Sequence, residues 1–300
     1  GIPGIHGNRM INDTLCRFML EELDIAGAVV GLGPAWRQML DQRDYPAPLA
    51  RLLGEMTATT VLLGDKLKQA GRLSIQLRGS GAVSLLVIDC NEQLQIRGMA
   101  KSSAAIEDGS AAELLGDGQL QLVLDMPSMR EPYQSIVPLA GDSIAEIFEH
   151  YLAQSEQLPA RLFLAAAADG AAGLFLQRLP TAEQRDADGW TRIEALAATV
   201  KPSELLSLPA EELLRRLFGE ETVRLFPARP VTHNCPEDWE KVRSMLLSLG
   251  REEVYAALQE QGEVLIKDDI CNRQYRFDAQ AIDELFAAPP SAADTPPTVH

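Results

Sequence analysis

The sequence predicts an α+β fold: an N-terminal antiparallel β-sheet core packed with long helices, a helical linker and a small C-terminal α/β-hairpin domain. Three observations predict it. Short stretches between Leu73 and Leu124 alternate apolar and polar residues and are separated by turn-forming glycines. Longer stretches, above all Leu49 to Lys68, space their apolar residues by three and four. Beyond Pro180 helical spacing takes over, until a β-turn-β knuckle appears around Cys271.

Taken in order, the chain opens with an expected helix over Asp13 to Leu23, with Asp13 as its cap and Leu15, Phe18 and Met19 on one face. Pro46 and Pro48 lead into the long helix, whose apolar positions include Leu49, Leu52, Leu53, Met56, Leu63 and Leu67, and Gly71 ends it. Leu73, Ile75 and Leu77 then alternate with Ser74, Gln76 and Arg78, as in a strand with one wet face. Gly79-Ser80-Gly81 reads as a hairpin turn into Val83 to Asp89, whose continuous apolar centre implies burial on both sides. Leu94 and Ile96, then Leu120, Leu122 and Leu124, repeat the alternation. Ser143 and Glu146 have the spacing of a capping box at the start of a helix through Leu152. Apolar strands around Leu162 to Ala166 and Leu174 to Leu179 close the core.

The polar stretch Pro180 to Gly189 marks the expected boundary. Helices are expected over Trp190 to Val200, Pro209 to Phe218, from Asp238 to Gly250, and Arg251 to Glu260. Two short strands, Val264 to Lys267 and Tyr275 to Phe277, flank a turn, and a helix carrying Ile282, Leu285 and Phe286 follows. The resulting organisation is a cloning remnant at 1–9, an α+β core domain at 10–182, a helical linker at 183–230, a small C-terminal domain at 231–288 and a disordered tail at 289–300. The C-terminal core is assigned to Trp239, Val242, Leu246, Leu249, Leu258, Phe277, Ile282 and Phe286.

Composition narrows the function classes. The 300 residues hold 46% apolar and 23% charged residues, with 27 Lys and Arg against 43 Asp and Glu, for a formal charge of −16. So acidic a chain is poorly matched to nucleic acid or an anionic membrane, which need clustered positive charge. No apolar run reaches the ~20 residues of a membrane span. Four cysteines in this length are not a secreted disulfide framework, and a reducing, cytoplasmic setting is expected. No nucleotide-binding loop, nucleophile elbow or metalloprotease motif occurs, so an enzyme is disfavoured. His150 follows an acidic helix and reads as a surface residue. Cys16 and Cys90 lie in apolar surroundings and read as core. Cys235 and Cys271 differ, since each sits in a polar turn, where metals and reactive thiols are found.

At these residues the sequence resembles the 33-kDa heat-shock chaperonin family (heat-shock protein 33). The resemblance is carried by DTLCRFMLEELDIAG, YQSIVPLAGDSIAEIFEHYLAQSEQLPARL and LFLQRLP, and by SLGREEV, EQGEV and CNRQYRFD in the last domain. It implies an ATP-independent holdase, active under oxidative or heat stress, whose partners are unfolding proteins and, in the active form, a second copy of itself. It also implies one zinc held by four thiolates from a CxC and a CxxC motif, which oxidants convert into two disulfides. The chain departs from that pattern: the matching positions are Cys235 and Glu237, and Asp268 and Cys271. One sulfur of each pair is a carboxylate, so neither disulfide within a motif is possible. Any zinc would need Cys235, Glu237, Asp268 and Cys271, with His233 or Asp269 as substitutes, a harder and weaker set. The metal-free hairpin is slightly favoured, and a single Cys235–Cys271 disulfide stays open beside it. The rival functions are a thiol oxidoreductase using Cys235 or Cys271, and a non-catalytic adaptor.

Overall fold

Asp13 does not cap a helix of its own. Its carboxylate accepts the backbone N–H groups of Gly33 at 2.7 Å and Ala35 at 2.9 Å, and so caps the helix α1, Pro34–Leu40. The expected helix over 13–23 is instead a strand, β1 (Thr14–Leu20), which turns back into β2 (Ile25–Leu32). Leu15 points to one apolar layer while Phe18 and Leu20 point to another. A strand with buried residues on both faces loses its polar alternation, and the three-residue spacing of Leu15 and Phe18 then imitates a helix. Cys16 is therefore a buried strand residue.

The computed structural model describes residues 12–67 and 70–287. The expected remnant at 1–9, Lys68 at the end of the long helix, and the expected tail at 289–300 lie outside the described residues. The chain divides into two compact units, one ending at Asn234 and one beginning at Cys235. Residues 183–230, expected as a linker, lie within the first unit.

In the first unit, α2 (Ala47–Gly64) follows α1, and β3 (Arg72–Gly79), β4 (Val83–Asn91) and β5 (Gln95–Ser102) form a meander. Then come α3 (Ala111–Leu115), β6 (Gly118–Asp125), β7 (Tyr133–Pro138), α4 (Ile144–Glu156), β8 (Ala160–Ala167) and β9 (Gly170–Arg178). Helices α5 (Ala182–Arg185), α6 (Gly189–Ala197), α7 (Pro202–Ser207) and α8 (Ala210–Phe218) precede three two-residue strands, β10 (Arg224–Leu225), β11 (Arg229–Pro230) and β12 (Thr232–His233). The strands make two sheets. The first runs β10-β1-β2-β9-β8, with β11 also on β1; the second runs β12-β5-β4-β3-β6-β7. Pairing is antiparallel except for β12, which lies parallel to β5.

The long helix α2 is the shared layer between the sheets, packing on β8 and β9 of the first and β4 of the second. Its Leu52, Leu53, Met56, Val61 and Leu62 are buried in a cluster that includes strand residues of both. Three buried threonines are tolerated there because each hydroxyl donates to a carbonyl four residues back: Thr57 to Leu53, Thr59 to Glu55 and Thr60 to Met56. Ser143 caps α4 by accepting the Glu146 N–H at 3.1 Å, while the Glu146 carboxylate accepts the N–H of Asp142 rather than of Ser143. At the hairpin turn after β3, a side chain on Gly79 would meet the carbonyl oxygens of Leu115 and Val83 at about 2.5 Å, so backbone fills that space.

The other face of the first sheet is covered by α6, α7 and α8. Trp190, Ile193, Leu205, Leu214, Leu217 and Phe218 pack on Phe18, Leu20, Leu174 and Leu176. Phe18 is cross-strand neighbour to Gly27 and lies over it, and its ring centroid is 6.2 Å from that of Phe218. Arg161 of β8 adds ion pairs to Glu149 of α4 at 2.7 Å and Glu194 of α6 at 2.8 Å.

Three expectations follow. Truncating Phe218 to alanine removes a fully buried ring, and the expected loss on chemical denaturation is about 3–5 kcal/mol. Hydrogen exchange should show 189–218 opening before the sheet. Burial pushes the carboxyl of Glu55 up to about 7 from an ordinary 4.5, with Arg51 opposing the shift. A raised acid pKa means the folded state holds the proton longer, so stability falls as pH rises through 4.5 to 7 and is level above. Glu55→Gln should abolish that slope in melts taken across the window.

Candidate functional site

The second unit is small. Helices α9 (Trp239–Leu249) and α10 (Arg251–Gln261), the hairpin β13 (Val264–Asp268) and β14 (Arg273–Phe277), and α11 (Ala279–Ala287) surround seven buried residues: Val242, Leu246, Val254, Val264, Tyr275, Phe277 and Ile282. Leu249, expected in this core, is 49% exposed: it shares the stripe of Val242 and Leu246 but is the last residue of α9. Asp238 caps α9 by accepting the Lys241 N–H at 3.0 Å, and its own N–H donates to the Tyr275 hydroxyl at 2.9 Å. Trp239 meets Tyr275 and Phe277 edge to face, with centroids 4.8 and 5.6 Å apart. This aromatic corner fixes the start of α9 against the hairpin.

It also fixes Cys235, three residues before the cap, beside Cys271 in the hairpin turn. The two are joined in a disulfide, with Cα atoms 5.6 Å apart, inside the range an unstrained bridge requires. Both cysteines are partly exposed. Cys16 and Cys90 remain buried free thiols, and burial raises both, Cys90 to about 12.

The carboxylates expected as zinc ligands are engaged elsewhere. Asp268 Oδ1 accepts the backbone N–H groups of Ile270 at 3.1 Å and Cys271 at 3.4 Å, and so shapes the turn. Glu237 accepts the indole N–H of Trp239 at 2.9 Å. Asp269 lies 3.9 Å from the Lys267 ammonium. His233 belongs to β12 of the first unit, where burial and nearby Arg43 lower its pKa. Among the described residues no three His, Cys, Asp or Glu side chains come together as a metal-holding group. The structure thus joins Cys235 to Cys271, ties Asp268 to the backbone of the Cys271 turn and does not assemble the six. A four-thiolate zinc site does not fit a unit with two sulfurs bonded to each other.

The Hsp33 protein family matches residues 13–278. The chain belongs to the Hsp33 family. It is 41% identical over 277 residues to the 33 kDa chaperonin of Chromobacterium violaceum, covering 92% of this chain and 94% of that protein. It is 40% identical over 278 residues to the 33 kDa chaperonin of Methylobacillus flagellatus, covering 92% and 95%. The crystal structure of the 33 kDa chaperonin from Thermotoga maritima superposes with a TM-score of 0.79 over 91% of this chain and 98% of that one, at 20% identity. The α+β fold is therefore that of the family. Hsp33 family members are chaperones, not enzymes.

The sequence leaves the fate of the sulfurs open because pairing across 36 residues is a tertiary fact. It also does not single out Tyr275, although the alternation Gln274, Tyr275, Arg276, Phe277 places it on the inner face of β14. Arg273, register partner of Asp268, buries its Nη1 without a hydrogen-bond partner among the described residues. An unsatisfied buried donor costs roughly 1–3 kcal/mol, which keeps this unit marginal.

The role of Asp268 can be separated from that of a ligand. Asn retains the accepting oxygen, so Asp268→Asn should melt within about 0.5 kcal/mol of the parent, while Asp268→Ala should lose about 1 kcal/mol. A ligand role predicts instead that both variants lose the same metal by elemental analysis.

Proposed function

We propose that this Hsp33 family chaperone is an ATP-independent holdase that binds unfolding proteins under oxidative or heat stress, with the family's thiol switch weakened or lost. The observation that carries the holding half is the apolar interface beneath α6–α8. These helices meet the first sheet through Trp190, Ile193, Leu214, Leu217 and Phe218, and separation would bare two apolar faces at once. The second turn of α8 sets Leu213, Leu214 and Leu217 on one side and Arg215 and Arg216 on the other, so a detached helix is amphipathic, suited to an apolar client. The charge of −16 favours solubility of a loaded complex.

The switch half rests on sulfur arithmetic. Glu237 stands where a CxC motif would end and Asp268 where a CxxC motif would begin, so neither short-range disulfide is available. With the remaining thiols paired to each other, the reading is metal-free and assigns Cys235 and Cys271 no zinc. Heat is then the trigger that acts on unit 1. Unfolded clients are the partners in this reading, and a homodimer is its active form.

The test is light scattering of a heat-denaturing client protein at equimolar chaperone, without nucleotide. Suppression is expected to begin at a threshold temperature, and Phe218→Ala should lower that threshold by weakening the hold on α8. No suppression in the resting, heated, oxidised or reduced protein would sink the proposal.

A further inference from the structure

The two sulfurs left in the second unit are placed to do the reverse of what a paired-motif switch does. We propose that Cys235 and Cys271 form a redox-reversible staple: oxidation closes the second unit, and reduction is what loosens it. The loop they close, 36 residues in sequence separation, contains α9, α10 and β13 in full. Linking its ends removes open conformations from the unfolded ensemble, so the folded unit gains relative to the unfolded one. The gain matters because seven buried residues make a small core for a segment of this length. Nothing offsets it, since bridging expels no ligand: the carboxylates flanking the pair already bond to Trp239 and to the turn N–H groups.

The chemistry balances with a peroxide as oxidant. The thiolate of one cysteine attacks a peroxide oxygen and the O–O bond breaks, giving a sulfenic acid and water. The second thiolate attacks that sulfur, the S–O bond breaks, and a second water leaves with the Sγ–Sγ bond formed. Two electrons pass from the sulfurs to the two peroxide oxygens. A small dithiol reverses the bond by exchange at either partly exposed sulfur. Cys16 and Cys90 are buried in the first unit and their raised pKa values keep them as thiols, so exchange is confined to the pair.

The consequence for chaperoning rests on the holdase reading above. A reduced, heat-loosened second unit bares Val242, Leu246, Tyr275 and Phe277, adding apolar surface that the oxidised unit keeps hidden. Of the two stresses in that reading heat is then the trigger, and oxidant restrains the second unit's share of holding.

The experiment uses the full chain, treated with hydrogen peroxide or with dithiothreitol. Peptide mapping by mass spectrometry identifies the linkage, and hydrogen exchange over 235–287 follows opening against temperature. The oxidised chain should show a Cys235–Cys271 cross-linked peptide and a midpoint for this segment raised by more than about 10 °C. Cys235→Ser and Cys271→Ser should each melt as the reduced parent does and ignore peroxide. An unchanged or lowered midpoint on oxidation of the parent chain, or recovery of both its residues as sulfinic acids, overturns the staple whether or not the serine variants fold. Client scattering between the two midpoints should show stronger suppression in the reduced chain. Equal suppression in both states overturns the link to chaperoning. No suppression in either state overturns the holdase reading, with the staple then judged by its midpoints.

Discussion

The first sheet carries an apolar cluster on each face, and most of the architecture follows from that constraint. One face is covered by α2, whose buried leucines and methionine also pack on the second sheet. The other is covered by α6–α8 through Trp190, Leu214, Leu217 and Phe218. The coverings differ in kind. Helix α2 is caught between two hydrogen-bonded sheets and cannot leave without dismantling both. The α6–α8 layer has a sheet on one side only and is held by apolar packing, with Arg161–Glu194 as a partly exposed ion pair of modest strength. The more easily separated layer of unit 1 is therefore α6–α8, which hides Trp190, Leu214, Leu217 and Phe218.

The same constraint decides what is legible in the sequence. Strands with a wet face, such as β3 and β6, announce themselves by alternation, and they stand where Leu73–Leu77 and Leu120–Leu124 place them. Strands β1 and β2, with buried residues on both faces, carry no such signature. In β1 the spacing of Leu15, Phe18 and Met19 suggests a helix, and in β2 the run IAGAVVGL has no period at all. Asp13 is a cap, as its position suggests, but of a different helix, because its target is twenty residues away and reached only after the hairpin folds. Local chemistry is readable; its partner is not.

At the candidate site the balance is similar. The sequence shows that Cys235 and Cys271 are unlike the buried pair, and the resemblance sets Glu237 and Asp268 where it implies sulfurs. It does not show which groups converge, since that depends on the corner made by Trp239, Tyr275 and Phe277, side chains far apart in the chain. Glu237 and Asp268 illustrate the point. At the family's ligand positions they invite a metal, yet in the fold one takes an indole N–H and the other two backbone N–H groups of its own turn. Residues that keep a position need not keep its chemistry.

On the staple proposal, replacing half of a sulfur set reverses the sign of redox control over the second unit. In a site with a bound ion, oxidation removes a cross-link, because the ion that tied several ligands is lost when the thiolates are consumed. In a site with two thiols and no ion, oxidation adds a cross-link where none existed. The first destabilises a small unit and the second stabilises it, through the same loop entropy. What selects between them is whether each sulfur has a neighbour within its own turn. Here it has Glu237 or Asp268 instead, neither able to form a bond with sulfur under an oxidant. The long-range pairing is then the one disulfide the two can close within the second unit, and on the staple proposal the stability of that unit rises with it.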